Sequence, residues 1–338
     1  MELILHEFDL PLEHPFTIAR GTITSQPTLI VELREDGRCG FGEAPATGYY
    51  GATVENVRAA IEAIRGEIES CSMAKDNPEA ALNLWQPQLA EHPFALCALD
   101  GAVCDLWGKL RGKPVHTLWG LNAEDSPASS YTIGIDTIPV MIRKLQEQPG
   151  WPVYKIKLGT PQDMEIIVAL REHTEAPFRV DANCGWTATE AIDHAPRLAE
   201  LGVEFIEQPL PPGDPAQREL FNYCKLPVIA DESCVREADV DSCGGNFDGV
   251  NIKLCKCGGP STARRMALRA RELGLRVMVG CMTESTVGIS AAAQVGPLTD
   301  FLDLDGAVLL AEDAASGVRV EQGRLHYPDR PGAGVELL

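Results

Sequence analysis

The 338-residue chain is short of positive charge. Its 29 lysines and arginines face 49 aspartates and glutamates, for a net charge of −20 and a pI near 4.7. That balance excludes a nucleic-acid or anionic-membrane surface, both of which need a basic face. Long apolar runs are missing too, so no segment reads as spanning a bilayer. The first thirty residues carry charges throughout and lack an apolar h-region, so no signal peptide is expected. Eleven cysteines are an odd number, scattered without the spacing of a disulfide framework, which points to a reducing cytoplasm. Cys255 and Cys257 stand two apart with no matching second pair and read as small buried or loop thiols rather than a metal pair. His14, His116, His173 and His194 have no metal-ligand spacing.

What the sequence does contain is a periodic set of charges. Lys157, Asp181, Glu207, Asp231 and Lys253 follow one another at steps of 24, 26, 24 and 22 residues. Each closes a short apolar run rich in β-branched residues: YKIKLG, FRVDAN, VEFIEQP, PVIADES and GVNIKL. A step near 25 is one strand, one helix and two short loops. Any one of these charges alone reads as a helix N-cap, a surface charge or an edge lysine. Their shared phase places the set at one end of neighbouring parallel strands, where β/α barrels gather catalytic groups.

The repeat continues outward through YTIGI with Thr132, LRVMVGCM with Cys281, and TDFLDLDG with Asp303 and Asp305. Eight strand-like runs result, starting near residues 131, 154, 178, 203, 227, 249, 275 and 299. Between them, PQDMEIIVALREHTEA, TATEAIDHAPRLAELG and GGPSTARRMALRARELG carry apolar residues at helical spacing. The last ends on a glycine suited to a C′ position. Eight βα steps in roughly 180 residues is tight against the ~250 typical of the barrel, so short loops and a lid from elsewhere in the chain are expected.

Residues 1–125 lack this repeat. LILHEFDLPL, TLIVELRED and GRCGFGEAPATG read as antiparallel strands, VENVRAAIEAIRGEIES and EAALNLWQPQLAE as amphipathic helices, and HPFALCALDGAVCDLWGKLRG as a buried helix. After about residue 310 the chain returns to strands and turns. The expected architecture is α/β: an α+β capping domain from 1–125, a barrel over 126–310 and a segment, 311–338, returning to the cap. The length fits two domains with ample core.

Asp181, Glu207 and Asp231 would project from three consecutive strand ends. Three carboxylates are hard oxygen donors that suit Mg²⁺, and the ligand types also permit Mn²⁺. Zinc would want His or Cys, and neither stands there. Asn183 shares the face of Asp181 and can support the ligand shell. Lys155 and Lys157 share one face of their strand, and their mutual repulsion is expected to lower a lysine pKa toward that of a useful base. Lys253, on the sixth strand, lies across the barrel, so a substrate between would meet one lysine on each face. A metal would stabilise the charge that builds on a carboxylate when its α-proton leaves. Inversion at a carbon next to a carboxylate is the natural product.

With these motifs the chain resembles the enolase superfamily, in its muconate-lactonizing subgroup, over nearly its whole length. The matching features are K-x-K at Lys155 and Lys157, D-x-N at Asp181 and Asn183, E-Q-P at Glu207, A-D-E-S at Asp231, N-I-K-L at Lys253, and the helix ALDGAVCDLWGKLRGKPV. The resemblance implies a modified (β/α)₇β TIM-like barrel, Mg²⁺ on Asp181, Glu207 and Asp231, bases at Lys157 and Lys253, and a tuning role for Lys155. Asp303-Leu-Asp305 resembles the D-x-D of dipeptide epimerases, which holds the ammonium of the substrate's N-terminal residue. Carboxylates at i and i+2 share a face and can bracket one cation. Arg20, in FTIARG on a capping loop, resembles the residue of L-Ala-D/L-Glu epimerases that receives the glutamate side chain, a task suited to a guanidinium fork. Gly48-Tyr-Tyr-Gly51 matches the second capping loop in position, and Cys281 and Thr132 match pocket-lining positions. The resemblance implies a dipeptide substrate inverted at the α-carbon of its C-terminal residue, in peptidoglycan-peptide recycling. Rival readings are an N-acylamino-acid racemase or o-succinylbenzoate synthase and, from another class, a non-catalytic metal-dependent binding protein, for which two opposed lysines would be superfluous. The sequence leaves room for a homo-oligomer.

Overall fold

The computed structural model describes residues 1–338. Three antiparallel strands open the chain, β1 (Glu2–Ile18), β2 (Gly21–Glu35) and β3 (Arg38–Pro45), in the order β1-β2-β3. Asp36 and Gly37, at φ 49 and 70, turn β2 into β3 as the two positive-φ residues of a tight hairpin. The three expected strands are present, but β1 and β2 run further. Beyond a register shift between Pro11 and Phe16, pairing resumes and reaches Ile18 opposite Gly21. Residues 16–21, expected as a loop, are therefore the tip of a hairpin. Threonines and isoleucines at 17, 18, 22 and 23 favour extended backbone, and the Thr17 and Thr22 hydroxyls pair across it at 2.9 Å.

One face of this sheet, through Leu29, Val31 and Leu33, joins the main core with the helix Pro93–Arg111. Gly40 and Gly42 on β3 let that helix close on the sheet, because a Cβ at either would overlap the backbone of Ala102 or Ala98. The other face, through Leu10, Ile30 and Phe41, is covered by Leu310, Ala333 and Val335 of the returning C-terminal segment. The single helix expected over 54–70 is two, Val54–Ala63 and Arg65–Ser70, broken at Ile64 (φ −115, ψ 15). Gly66 beside the break weakens the helix there.

Eight parallel strands follow: β4 (Tyr131–Ile133), β5 (Tyr154–Lys157), β6 (Phe178–Asp181), β7 (Val203–Glu207), β8 (Val228–Ala230), β9 (Gly249–Lys253), β10 (Arg276–Gly280) and β11 (Phe301–Asp303), neighbours in that order. They coincide with the eight runs read from the sequence. A parallel bridge between Ser129 and Leu302, with Ser130 N donating to Leu302 O at 3.1 Å, draws the two edges together. Helices follow the first seven strands, while β11 leads into a 3₁₀ turn, Gly306–Leu309. The barrel is thus of the (β/α)₇β kind. Its helices are short, and one of them, Ala188–Glu200, is started by a reciprocal capping box between Thr187 and Glu190.

Candidate active site

Parallel register sets the site. Lys157 pairs with Asp181 and Asp181 with Glu207 along β5, β6 and β7. Gly280 of β10 lies level with Lys253 on one side and Asp303 on the other. Asp231 follows β8 directly. In a closed ring of eight, β5 and β9 are four strands apart either way, so Lys157 and Lys253 stand on opposite sides of the mouth.

Asp181, Glu207 and Asp231 are buried, and one oxygen from each lies within 4.8 Å of the others. Asp181 Oδ2 is 2.6 Å from Lys157 Nζ and 3.4 Å from Lys155 Nζ, and its Oδ1 accepts from Asn183 N at 2.9 Å. Asn251 Nδ2 donates to Glu207 Oε1 at 2.8 Å, while Glu207 Oε2 is 2.7 Å from Lys155 Nζ without the alignment of a hydrogen bond. Asp231 Oδ2 meets Lys253 Nζ at 2.9 Å and its Oδ1 meets Lys256 Nζ at 2.6 Å. Asn183 and Gln208, at the ends of β6 and β7, have positive φ (46 and 37), a strained backbone held at the site. An all-oxygen, fully buried donor set of this size, with Glu207 Oε2 lacking an aligned donor, fits a small hard dication.

Electrostatics bind the cluster together. The expected lysine–lysine repulsion does not set the charge of Lys155. Burial pulls its pKa down, but Asp303, Glu207 and Asp181 more than offset this and hold it well above the usual range. Burial likewise opposes the charge on Asp231, yet Lys253 and Lys256 keep its carboxyl well below the ordinary value. Glu207 is pushed up to about 7 by burial and the neighbouring Asp181 charge.

The second acidic pair is built from β11 and β4. Asp303 Oδ1 accepts from Ser130 Oγ at 2.7 Å and its Oδ2 from Lys155 Nζ at 2.8 Å. Thr132 holds Asp305 through its N–H (2.5 Å) and its Oγ1 (3.2 Å). Burial and Asp303 raise the Asp305 carboxyl to about 7. Both acids face a cavity of about 440 Å³, which Thr132, Lys157, Asn183, Asp231, Lys253 and Cys281 also line. Asp181, Glu207 and Lys155 lie behind them, fully buried. Phe16 and Arg20 of the hairpin, with Tyr49 and Tyr50 of the 3₁₀ turn Gly48–Tyr50, cover the cavity from the capping side. All twelve residues singled out in the sequence thus come together here. Arg20 is not free, however: its Nη2 donates to Glu232 Oε1 at 2.7 Å.

Sequence reasoning missed several participants. Lys256, fully buried, also donates to the carbonyls of Asp231 and Cys234, at 2.5 and 3.1 Å. It stands between two cysteines read correctly as buried thiols, and nothing in that spacing marks the lysine. Asn251 was legible in principle, since it lies two residues before Lys253 and so on the same strand face. Glu232 and Gln208 sit inside quoted motifs, without any signal of their partners.

Comparison with known proteins agrees with this geometry. The family described as "Mandelate racemase / muconate lactonizing enzyme, N-terminal domain" matches residues 1–120, and that described as "Enolase C-terminal domain-like" matches 140–338. A curated L-Ala-D/L-amino acid epimerase of Flavobacterium johnsoniae is 50% identical over 339 residues, all of both chains. An L-Ala-D/L-Glu epimerase of Bacteroides thetaiotaomicron is 40% identical over 99% of this chain and 88% of its own. Among solved structures, a dipeptide epimerase from Methylococcus capsulatus, complexed with Mg and the dipeptide L-Arg-D-Lys, superposes with a TM-score of 0.91 at 34% identity, over 99% of this chain and 98% of the other.

Proposed function

The chain belongs to the mandelate racemase/muconate lactonizing enzyme family, and on that footing we propose how its residues carry out the reaction. It is a dipeptide epimerase, an isomerase that uses Mg²⁺ and inverts the α-carbon of the dipeptide's C-terminal residue. We assign Asp181, Glu207 and Asp231 to the metal, with Asn183 supporting them. Bound there, Mg²⁺ supplies positive charge to the substrate carboxylate as its α-proton leaves. Lys157 and Lys253 are the two bases. One Nζ takes the α-proton as the Cα–H bond breaks, and the other, as ammonium, delivers a proton to the opposite face as the new Cα–H bond forms. Lys155 holds the carboxylates in place beneath them. Asp303 and Asp305, steadied by Thr132, receive the substrate's ammonium, with Cys281 lining the cavity beside them, and the hairpin tip with Arg20 borders the side-chain end. The hairpin keeps water from the reacting carbon. The observation that carries this reading is the placement of two lysines on opposite sides of one buried carboxylate triad, beside a second acidic pair.

A substrate of the L-Ala-D-Glu kind would place the reaction in peptidoglycan-peptide recycling, in a reducing cytoplasm that suits eleven free thiols. The test is α-proton exchange in D₂O with Mg²⁺, followed by NMR over L-Ala-L-Glu, L-Ala-L-Leu, L-Ala-L-Lys and N-succinyl amino acids. Exchange with inversion on dipeptides is expected, and exchange confined to N-succinyl substrates would transfer the assignment to the racemase. Lys157→Ala and Lys253→Ala should each lower exchange from one epimer by ~10²- to 10⁴-fold. If neither slows it, the two-base assignment is wrong.

A further inference from the structure

Two polar side chains that the proposed reaction does not use line the cavity: Gln26 of β2 and Thr283 of the loop after β10. Both are more than nine-tenths buried, at 6% and 8% exposure. The Gln26 amide has a fixed orientation. Its Nε2 donates to the carbonyls of Pro27 and Ala46, each at 2.8 Å. Turning the amide over would set Oε1 against two carbonyl oxygens, so Oε1 is the end left for the cavity. Neither this oxygen nor the Thr283 hydroxyl has a hydrogen-bond partner in the protein, although both residues are buried.

The joint between cap and barrel brings the two to one corner. Gln26 and Thr28 share a face of β2. Thr28 Oγ1 donates to Glu43 Oε1 at 2.8 Å, and the same oxygen accepts from the N–H of Ser285, two residues beyond Thr283, at 3.0 Å. The loop that carries Thr283 rests in turn on the second acidic pair. Cys281 N donates to the Asp303 carbonyl at 3.0 Å, and a Cβ on Gly306, the residue after Asp305, would come within 3.1 Å of Cys281 Sγ. The corner thus adjoins the acids assigned to the substrate's ammonium. We infer that Gln26 Oε1 and the Thr283 hydroxyl form a subsite for the side chain of the dipeptide's N-terminal residue, and that it favours a hydroxyl, as in serine or threonine, over an apolar group of the same size. The inference rests on the dipeptide-epimerase reading. A substrate hydroxyl donates to Oε1, which can only accept, and accepts from Thr283 Oγ1, which can do either. A methyl group in its place shuts water from both and leaves them unpaired, and buried polar groups left unpaired count strongly against a ligand. Gln26 and Thr283 act on the residue that does not react, so they select the dipeptide without touching the bases.

The experiment compares kcat/KM within two pairs of equal shape, L-Ser-L-Glu against L-2-aminobutyryl-L-Glu and L-Thr-L-Glu against L-Val-L-Glu, at saturating Mg²⁺. The wild type should favour the hydroxyl member of each pair by about tenfold or more. Thr283→Val, which keeps the shape and removes the hydroxyl, and Gln26→Met, which removes the acceptor, should each bring the ratio toward one. Gln26→Met also strips the donors from the Pro27 and Ala46 carbonyls, so Thr283→Val decides if that protein does not fold. A merely structural disturbance lowers both members of a pair alike and leaves the ratio where it was. A wild-type ratio near one or in favour of the methyl member, or a ratio that neither variant moves, overturns the inference. If no dipeptide exchanges at all, the epimerase reading fails by itself. Calorimetric binding of the same pairs to the Mg²⁺-loaded protein then decides the subsite: tighter binding of the hydroxyl member supports it, and equal or reversed affinities refute it.

Discussion

Two lysines touch Asp231, and only one of them faces the cavity. Lys253 meets Oδ2 from the cavity side, whereas Lys256 meets Oδ1 from below and ties down two backbone carbonyls of the same loop. Removing one partner of a buried ion pair leaves the other charge stranded. Lys256→Met is therefore expected to lower stability by about 3 kcal/mol in urea unfolding and to weaken Mg²⁺ binding in calorimetry. A variant as stable as the wild type would show that Asp231 is held by Lys253 alone. The five strand-end charges were legible because they keep step with the βα repeat. Lys256 and Glu232 were not, since a repeat marks positions on strands and says nothing about which neighbour a side chain reaches. For the same reason Arg20 was recognised as a cavity residue while its pairing with Glu232 was hidden, the two being 212 residues apart.

Among the elements, the helix Pro93–Arg111 links cap to barrel through Asp100. Its carboxyl accepts from Ser261 N and Ser261 Oγ, both at 2.7 Å, at the start of the barrel helix Pro260–Glu272. Burial, partly offset by the Ser261 bonds, pushes the Asp100 pKa up from 3.8 to about 7. The folded protein then holds this proton where the unfolded chain has lost it. The stabilising contribution is complete below pH about 4 and is lost as pH rises through about 7, a swing of about 4 kcal/mol. Asp100→Asn, whose amide can donate to Ser261 Oγ, should flatten the fall in Tm between pH 4 and 7 relative to the wild type. Parallel pH profiles for the two proteins would exclude this role. The barrel strands were readable to within two residues because fully buried parallel strands are short, β-branched and bounded by turns. The hairpin tip was misread as a loop because its pairing depends on a register shift at residues 11–16 that no alternation of side chains announces. The break at Ile64 was hidden by an apolar pattern that runs straight across it.

At the scale of the whole molecule, the acids that bear on function are few among the 49 the chain carries. Five buried acids, Asp181, Glu207, Asp231, Asp303 and Asp305, stand at one end of the barrel. A dication bound only by the folded chain stabilises it by mass action, by about 2.7 kcal/mol at a hundredfold excess over Kd. Scanning calorimetry should show Tm rising with Mg²⁺, EDTA should reverse the rise and abolish exchange, and Asp231→Asn should lose most of the shift. No shift at millimolar Mg²⁺ would dissociate the triad from metal binding. The placement of Lys157 and Lys253 on opposite sides of the mouth has a thermodynamic consequence. In the proposed mechanism the return reaction uses the same two groups with the proton on the other nitrogen, so the site has no built-in direction. Each turnover leaves the enzyme in the protonation form suited to the reverse trip, and that proton must redistribute before the next forward one. Net flux is then decided outside the protein, by whichever reaction consumes one epimer faster than the other.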